Sequence, residues 1–341
     1  MEILTSETLG GTWGTILLPI RADESIDWAR LDPALDILVA AGLDGLYAHG
    51  TAGEFHTLGE DEYDRVNELL ARRCERRGVP FQIGASHMSA QTCLARVARA
   101  RTLRPGAIQV TLPDWLPMSR GEVLRFLARV AAVADPVPLV LYNPPHAKTQ
   151  VPAELYPVIR REVHTLNLFQ PEPRGAHAPR PTLRSTGPQG EVEKGSLIGI
   201  KVAGGNAEWY ARMRRHAGGI AIFVAGHDLA TGRRHGAAGS YSNIAALSPA
   251  GAMAWQRMMA ERPDAALDVE RRIHAFFTEH IQPLQRGGYA NSALDKFLAH
   301  VGDWADIGTR VRWPYASVDP ALAERLRPLA RERLPELFPQ A

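Results

Sequence analysis

Cysteine is scarce. The 341-residue chain has two, Cys74 and Cys93. Both fall in helix-like stretches and read as buried or incidental thiols, not as a disulfide framework or a thiolate metal site. An excess of one charge is also missing: 39 Lys and Arg stand against 37 Asp and Glu, for a net +2. The arginines are interleaved with acids, so nothing marks a nucleic-acid or anionic-membrane surface. No apolar run is long enough to span a bilayer, and no basic-plus-apolar leader opens the sequence. The expectation is a soluble, cytoplasmic protein. No G-x-G-x-x-G turn follows any strand-like segment, which disfavours a dinucleotide fold. No internal repeat is visible.

What is present is alternation. The chain is 45% hydrophobic, enough for one large α/β core or two domains. Strand-like runs at Thr12–Ile20, Asp44–His49, Pro80–Ser86, Ala107–Leu112, Val137–Asn143, Ser196–Gly205, Gly219–Ala225 and Gly236–Asn243 follow a short polar arm at 1–10. Helical periodicity marks Ile26–Ala41, Ala90–Thr102, Arg120–Ala134, Pro152–Val163 and Ala207–His216. Thr57-Leu58-Gly59-Glu60 reads as a capping box opening a further helix to about Arg73. Strands alternating with helices imply parallel βαβ units, and eight of them close a TIM (β/α)₈ barrel. The expected layout is a barrel over residues 1–245 and a C-terminal helical region over 246–341, with breaks near Pro283–Gly288, Gly302–Trp313 and Pro320.

One stretch breaks the rhythm. From about 165 to 195 the chain holds five prolines and almost no large apolar residues. It reads as an irregular or partly disordered insertion. It joins a helix to the next strand, which places it on the barrel face away from active sites. A surface or subunit-contact role is expected there, not a lid.

Lys201 sits in Ser196-Leu197-Ile198-Gly199-Ile200-Lys201-Val202, just before a Gly204-Gly205-Asn206 turn. Burying an unpaired ammonium costs several kcal/mol. The lysine is therefore paired, at the rim, or neutral and reactive. Position alone does not separate a salt-bridged lysine from a Schiff-base lysine desolvated by Ile198, Ile200 and Val202. Two companions at C-terminal strand ends favour the second. Tyr142, in Leu141-Tyr142-Asn143-Pro144-Pro145, offers a phenol able to shuttle protons at an imine, although a lone core tyrosine reads the same way. Gly50-Thr51-Ala52-Gly53-Glu54 offers a backbone nest for a carboxylate and a hydroxyl to relay protons to Tyr142, although such turns are common. His56, His146 and His227 fall near strand ends but not at ligand spacing, so no metal or other cofactor is expected.

Gly50-Thr51-Ala52-Gly53-Glu54, Tyr142-Asn143-Pro144-Pro145 and Gly199-Ile200-Lys201 together resemble the dihydrodipicolinate synthase / N-acetylneuraminate lyase family of class I aldolases. Gly226-His227-Asp228 and Gly236–Asn243 resemble its seventh- and eighth-strand motifs, and the likeness runs from about Gly11 to Leu334. The resemblance implies a barrel with C-terminal helices, assembled as a homotetramer or homodimer. It implies a small 2-oxo acid such as pyruvate held as an imine on Lys201, with Tyr142 as proton shuttle. Thr51 and the backbone of Ala52 would bind the carboxylate, with Gly50, Gly226 and Tyr241 also contacting substrate.

The departures bear on the second substrate, for which an aldehyde is the expected candidate. Ala52 replaces a common second hydroxyl. The synthase's tyrosine pair after strand four is absent: Thr111-Leu112-Pro113-Asp114-Trp115-Leu116-Pro117 stands there. Its arginine after the tyrosine motif is absent too, and Lys148 substitutes only with a one-residue shift. These changes argue against dihydrodipicolinate synthesis. Trp115 and Phe55 suggest a more aromatic second-substrate pocket, as in the family's hydratase-aldolases, with helix packing or a subunit contact the alternative for Trp115. The leading expectation is thus a Schiff-base lyase acting as aldolase, hydratase-aldolase or dehydratase. Its rivals are a 2-oxo acid-binding paralogue without turnover, as a sensor or structural protein, and a metal-dependent aldolase.

Overall fold

The computed structural model describes residues 1–113, 115–166 and 197–339. The insertion expected at about 165–195 lies almost wholly outside the described residues. Eight parallel strands close a barrel in sequence order. They are β1 Gly11–Thr15, β2 Gly45–Ala48, β3 Phe81–Gly84, β4 Ala107–Val110, β5 Leu139–Tyr142, β6 Leu197–Lys201, β7 Ala221–Ala225 and β8 Gly239–Tyr241. Pairing of Trp13 with Tyr241 and of Gly11 with Gly239 completes the ring. Helices cover the outside: α1 Trp28–Ala40, α2 Glu60–Arg77, α3 Ala90–Thr102, α4 Arg120–Ala134, α5 Tyr156–Leu166, α6 Ala207–His216 and α7 Leu229–Arg234. After β8 come α8 Asn243–Leu247, α9 Pro249–Glu261, α10 Pro263–Phe276, α11 Gln282–Arg286, α12 Asn291–Gly302 and α13 Pro320–Arg333. No helix among the described residues is long and apolar enough to cross a membrane.

The strands are shorter than the apolar runs that announced them. Thr12–Ile20 pairs only as far as Thr15, yet Leu17, Leu18 and Ile20 stay buried beyond the sheet, so the run keeps its composition. Helix starts follow their caps. Ser89 accepts from Thr92 N, Ser119 exchanges bonds with Glu122, and Asn206 accepts from Trp209 N. The capping-box reading of Thr57–Glu60 does not hold. Thr57 Oγ1 instead donates to Glu54 O at 3.0 Å, and Gly59 N donates to Glu62 Oε2 at 3.2 Å as α2 begins. The two cysteines are buried and free. Nor is the arm at 1–10 simply polar: Leu9 is buried with Trp13, Val140 and Phe223 in the barrel interior.

One irregularity decides where Lys201 points. Along β5 and β6 the register runs Leu139 to Leu197, then Val140 to Gly199, leaving Ile198 as an extra residue. Ile198 packs in the barrel interior, and a Cβ on Gly199 would also point inward, 2.6 Å from Leu9 Cδ2. Two successive residues thus face the same side, as a β-bulge requires. Ile200 then packs in the outer layer between strands and helices, and Lys201 returns to the interior. Strict alternation would have sent Lys201 outward with Leu197.

Candidate active site

The C-terminal strand ends open on a pocket of about 450 Å³. Thr15, Tyr47, Tyr142, Lys201, Ala225 and Tyr241, each at or near the end of its strand, form its floor and one wall. Tyr142 and Lys201 are register partners, so β5 and β6 deliver phenol and amine side by side. The Lys201 Nζ lies 4.2 Å from the Tyr142 ring centroid, 5.1 Å from that of Tyr241 and 5.4 Å from that of Tyr47. Among the described residues no carboxylate forms an ion pair with it. Burial pushes the ammonium down to about 8, against the pull of Asp295. A group with a pKa of about 8 is neutral in roughly one molecule in five at pH 7.4, against about one in a thousand for a free lysine. Of the residues expected to desolvate it, Val202 lines the pocket, whereas the bulge turns Ile200 into the outer layer. The tyrosine ring faces favour a cation, and so suit a protonated imine as well as an ammonium.

The Thr51 hydroxyl donates to Tyr142 OH at 3.5 Å, a long contact. Burial raises the Tyr142 phenol, which therefore stays protonated at neutral pH. Ala52 lines the pocket and brings no hydroxyl. Tyr241 presents its ring, because its hydroxyl is spent on Gln82 Oε1 at 2.6 Å inside the barrel. Two of the expected contacts act from behind. A Cβ on Gly50 would stand 2.7 Å from the Tyr47 ring, so this glycine lets that ring close over the floor. A Cβ on Gly226 would stand 2.5 Å from Ser242 Oγ and 2.8 Å from Asn243 Oδ1. That space lets Asn243 accept from His227 N and bond His227 Nδ1 at 2.9 Å.

Trp115 is not brought to the pocket. It is exposed, with its carbonyl bonded by Lys148 Nζ at 2.6 Å and the same ammonium 4.3 Å from its ring centroid. Lys148 is therefore held at Trp115 and does not line the pocket. Of the three histidines, His227 lines the pocket, whereas His146 is exposed and His56 packs on Tyr315. Among the described residues no group of histidines, cysteines and carboxylates is arranged to hold a metal ion.

The opposite wall escaped sequence reading. It comes from the C-terminal helices: His274 on α10, Phe277 and Thr278 on a π-helical turn, Gln282 on α11, and Leu294 and Asp295 on α12. His274 Nε2 bonds Asp228 Oδ1 at 3.0 Å, tying this wall to the end of β7. Burial raises Asp295 to about 7, opposed by the nearby Lys201. The next residue, Lys296, is buried and ion-paired with Glu54 of the Gly50–Glu54 loop, and it donates to Arg310 O at 2.6 Å. The one available signal was compositional. Asp295-Lys296 is a charged pair in a helix whose neighbours Ser292, Ala293, Leu294, Phe297 and Leu298 are all buried, and charges so placed need partners.

The fold is a closed parallel barrel with a half-buried lysine and a tyrosine side by side at its mouth. The dihydrodipicolinate synthetase family model matches residues 8–156. A 4-hydroxy-tetrahydrodipicolinate synthase of Acidobacterium capsulatum is 37% identical over 140 residues, covering 40% of this chain and 45% of that one. The same enzyme of Alcanivorax borkumensis is 27% identical over 328 residues, covering 94% and 97%. A trans-2'-carboxybenzalpyruvate hydratase-aldolase of a Nocardioides strain is 27% identical over 147 residues, covering 41% and 44%. The matches to the first and third thus span a little under half of those relatives' length. Among solved structures, the synthase of Methylacidiphilum fumariolicum superposes with a TM-score of 0.74 at 20% identity over 97% of this chain and 98% of its own. The N-acetylneuraminate lyase of Proteus mirabilis does so at 0.73 and 16% over 96% and 98%. The family match thus covers residues 8–156, and the relatives that resemble the chain are named as synthases and a hydratase-aldolase.

Proposed function

We propose that the protein is a Schiff-base-forming lyase acting on pyruvate or a related 2-oxo acid. The observation that carries this reading is the Lys201 amine, enclosed by three tyrosine rings, without an ion-paired carboxylate among the described residues, and lowered to about 8. Such an amine adds to the keto carbon, and loss of water leaves a protonated imine. That cation is an electron sink, so a bond at C3 breaks or forms. Tyr142, still protonated, moves the protons, with Thr51 beside it. The carboxylate would lie against Thr51 and the backbone of Ala52. Pyruvate bound in a family member of the same fold is consistent with this choice of substrate, as is the hydratase-aldolase relative.

The absent tyrosine pair and arginine favour a second substrate other than that of the synthases. We assign it no closer identity than a carbonyl compound that fits between the strand wall and the helical wall. Trp115 and Leu116, both exposed, are our candidates for a contact between copies in a homotetramer or homodimer. The test is trapping. Incubation with pyruvate and borohydride should add the mass of reduced pyruvate to Lys201, and Lys201→Ala should take up none. An unmodified wild-type chain across a panel of 2-oxo acids would sink the proposal. Trapping without turnover would favour a binding paralogue.

A further inference from the structure

We propose that Asp295, carried by the helical cap and not by a barrel strand, is the carboxyl group that takes up and returns the proton during imine formation on Lys201. The proposal rests on the Schiff-base reading above. Asp295 lines the same pocket as Lys201, Tyr142 and Thr51. It lies close enough to bias Lys201, Tyr142 and Tyr47 electrostatically, yet it makes no ion pair among the described residues. The groups facing it are thus Lys201 from β6, Tyr142 from β5 and Tyr47 from β2. Asp228, His227 and His274 also line the pocket. Its place is fixed from behind: Lys296, next on α12, is buried in an ion pair with Glu54, and Arg312 N donates to the same carboxylate at 3.3 Å. A carboxyl group anchored this firmly, but left without a partner of its own, is poised for proton transfer. Burial raises it to about 7, where it exchanges protons readily at neutral pH.

The steps balance. Because the two groups lie beyond ion-pair distance, one proton passes through an intervening water from the Lys201 ammonium to the Asp295 carboxylate, leaving a neutral amine and a carboxylic acid. The amine's lone pair forms the N–C bond as the keto π bond breaks onto oxygen. A proton passes from nitrogen to that oxygen through the Tyr142 phenol, giving the carbinolamine. The Asp295 acid then protonates the hydroxyl, the C–O bond breaks, and water leaves. Ammonium plus ketone has become iminium plus water, and Asp295 is a carboxylate again.

The test is the rate of borohydride-trapped pyruvate adduct against pH, read by intact mass, for wild type, Asp295→Asn and Asp295→Glu. Asparagine is isosteric and removes a buried charge, so folding should survive; the glutamate variant keeps a carboxyl group in case it does not. We expect Asp295→Asn to trap about 100-fold more slowly at pH 7 and to lose the pH-dependent limb near 7. Asp295→Glu should recover part of both. If Asp295 acted only as a fixed charge, its removal would free more neutral amine, and Asp295→Asn would trap as fast as wild type or faster. That result overturns the proposal. Absence of adduct in the wild type overturns the Schiff-base reading itself, so the two failures are distinct.

Discussion

The two walls of the pocket come from different physics. The strand wall is built by register: Tyr142 and Lys201 face each other because β5 and β6 pair there, and the rings of Tyr47 and Tyr241 follow from neighbouring strand ends. The helical wall is built by anchoring: α12 is held to the mouth through Glu54 and Lys296, and α10 through Asp228 and His274. Register positions a side chain relative to its neighbours without further cost. Anchoring α12 needs a buried ion pair, whose geometry must offset the desolvation of both charges. The strand wall carries the amine and phenol we assign to the reaction, and the helical wall brings the Asp295 carboxyl group to the same pocket.

Breaking the strand wall should have the largest effect. Lys201→Ala should abolish adduct formation with every 2-oxo acid, as mass spectrometry would report. Tyr142→Phe keeps the ring over the amine and removes only the hydroxyl. Turnover should fall by about 100-fold or more while substrate affinity changes little, which a kcat against KM comparison would reveal. On the helical side, Lys296→Met strands Glu54 as a buried carboxylate. Urea unfolding should register a loss of about 3–5 kcal/mol.

Titration sharpens the contrast. Because the Lys201 amine is lowered to about 8, the rate at which an amine-acylating reagent labels it should rise with pH through about 8 and then level off. A lysine with an ordinary pKa would keep gaining to about 10.4. The smallest effect belongs to Trp115→Ala. Lying outside the pocket, it should leave trapping within about twofold and stability within about 0.5 kcal/mol. Light scattering would show whether the assembly state changes with it.

The strand wall was legible because each of its residues ends an apolar run, and such ends converge in a barrel. The alternation of strands and helices gave the architecture for the same reason. The bulge at Ile198–Gly199 was not legible, since an inserted residue leaves no mark in an apolar segment. The lysine's direction was therefore anticipated for an incomplete reason: Ile200 does not shield it. Glu54 was read as part of a carboxylate-binding turn, whereas its side chain turns back to Lys296. Asp295 escaped because its role depends on contacts 94 positions from Lys201 in the sequence, a separation that no local period encodes.

The link between Glu54 and Lys296 also orders events during synthesis. Once Tyr241 has left the ribosome, every strand of the barrel exists, and so do the amine and the phenol. The cation that neutralises the loop's glutamate is still to be translated. A nascent chain at that stage has the reactive groups but an unsecured mouth, and the assembled cleft awaits the arrival of α12.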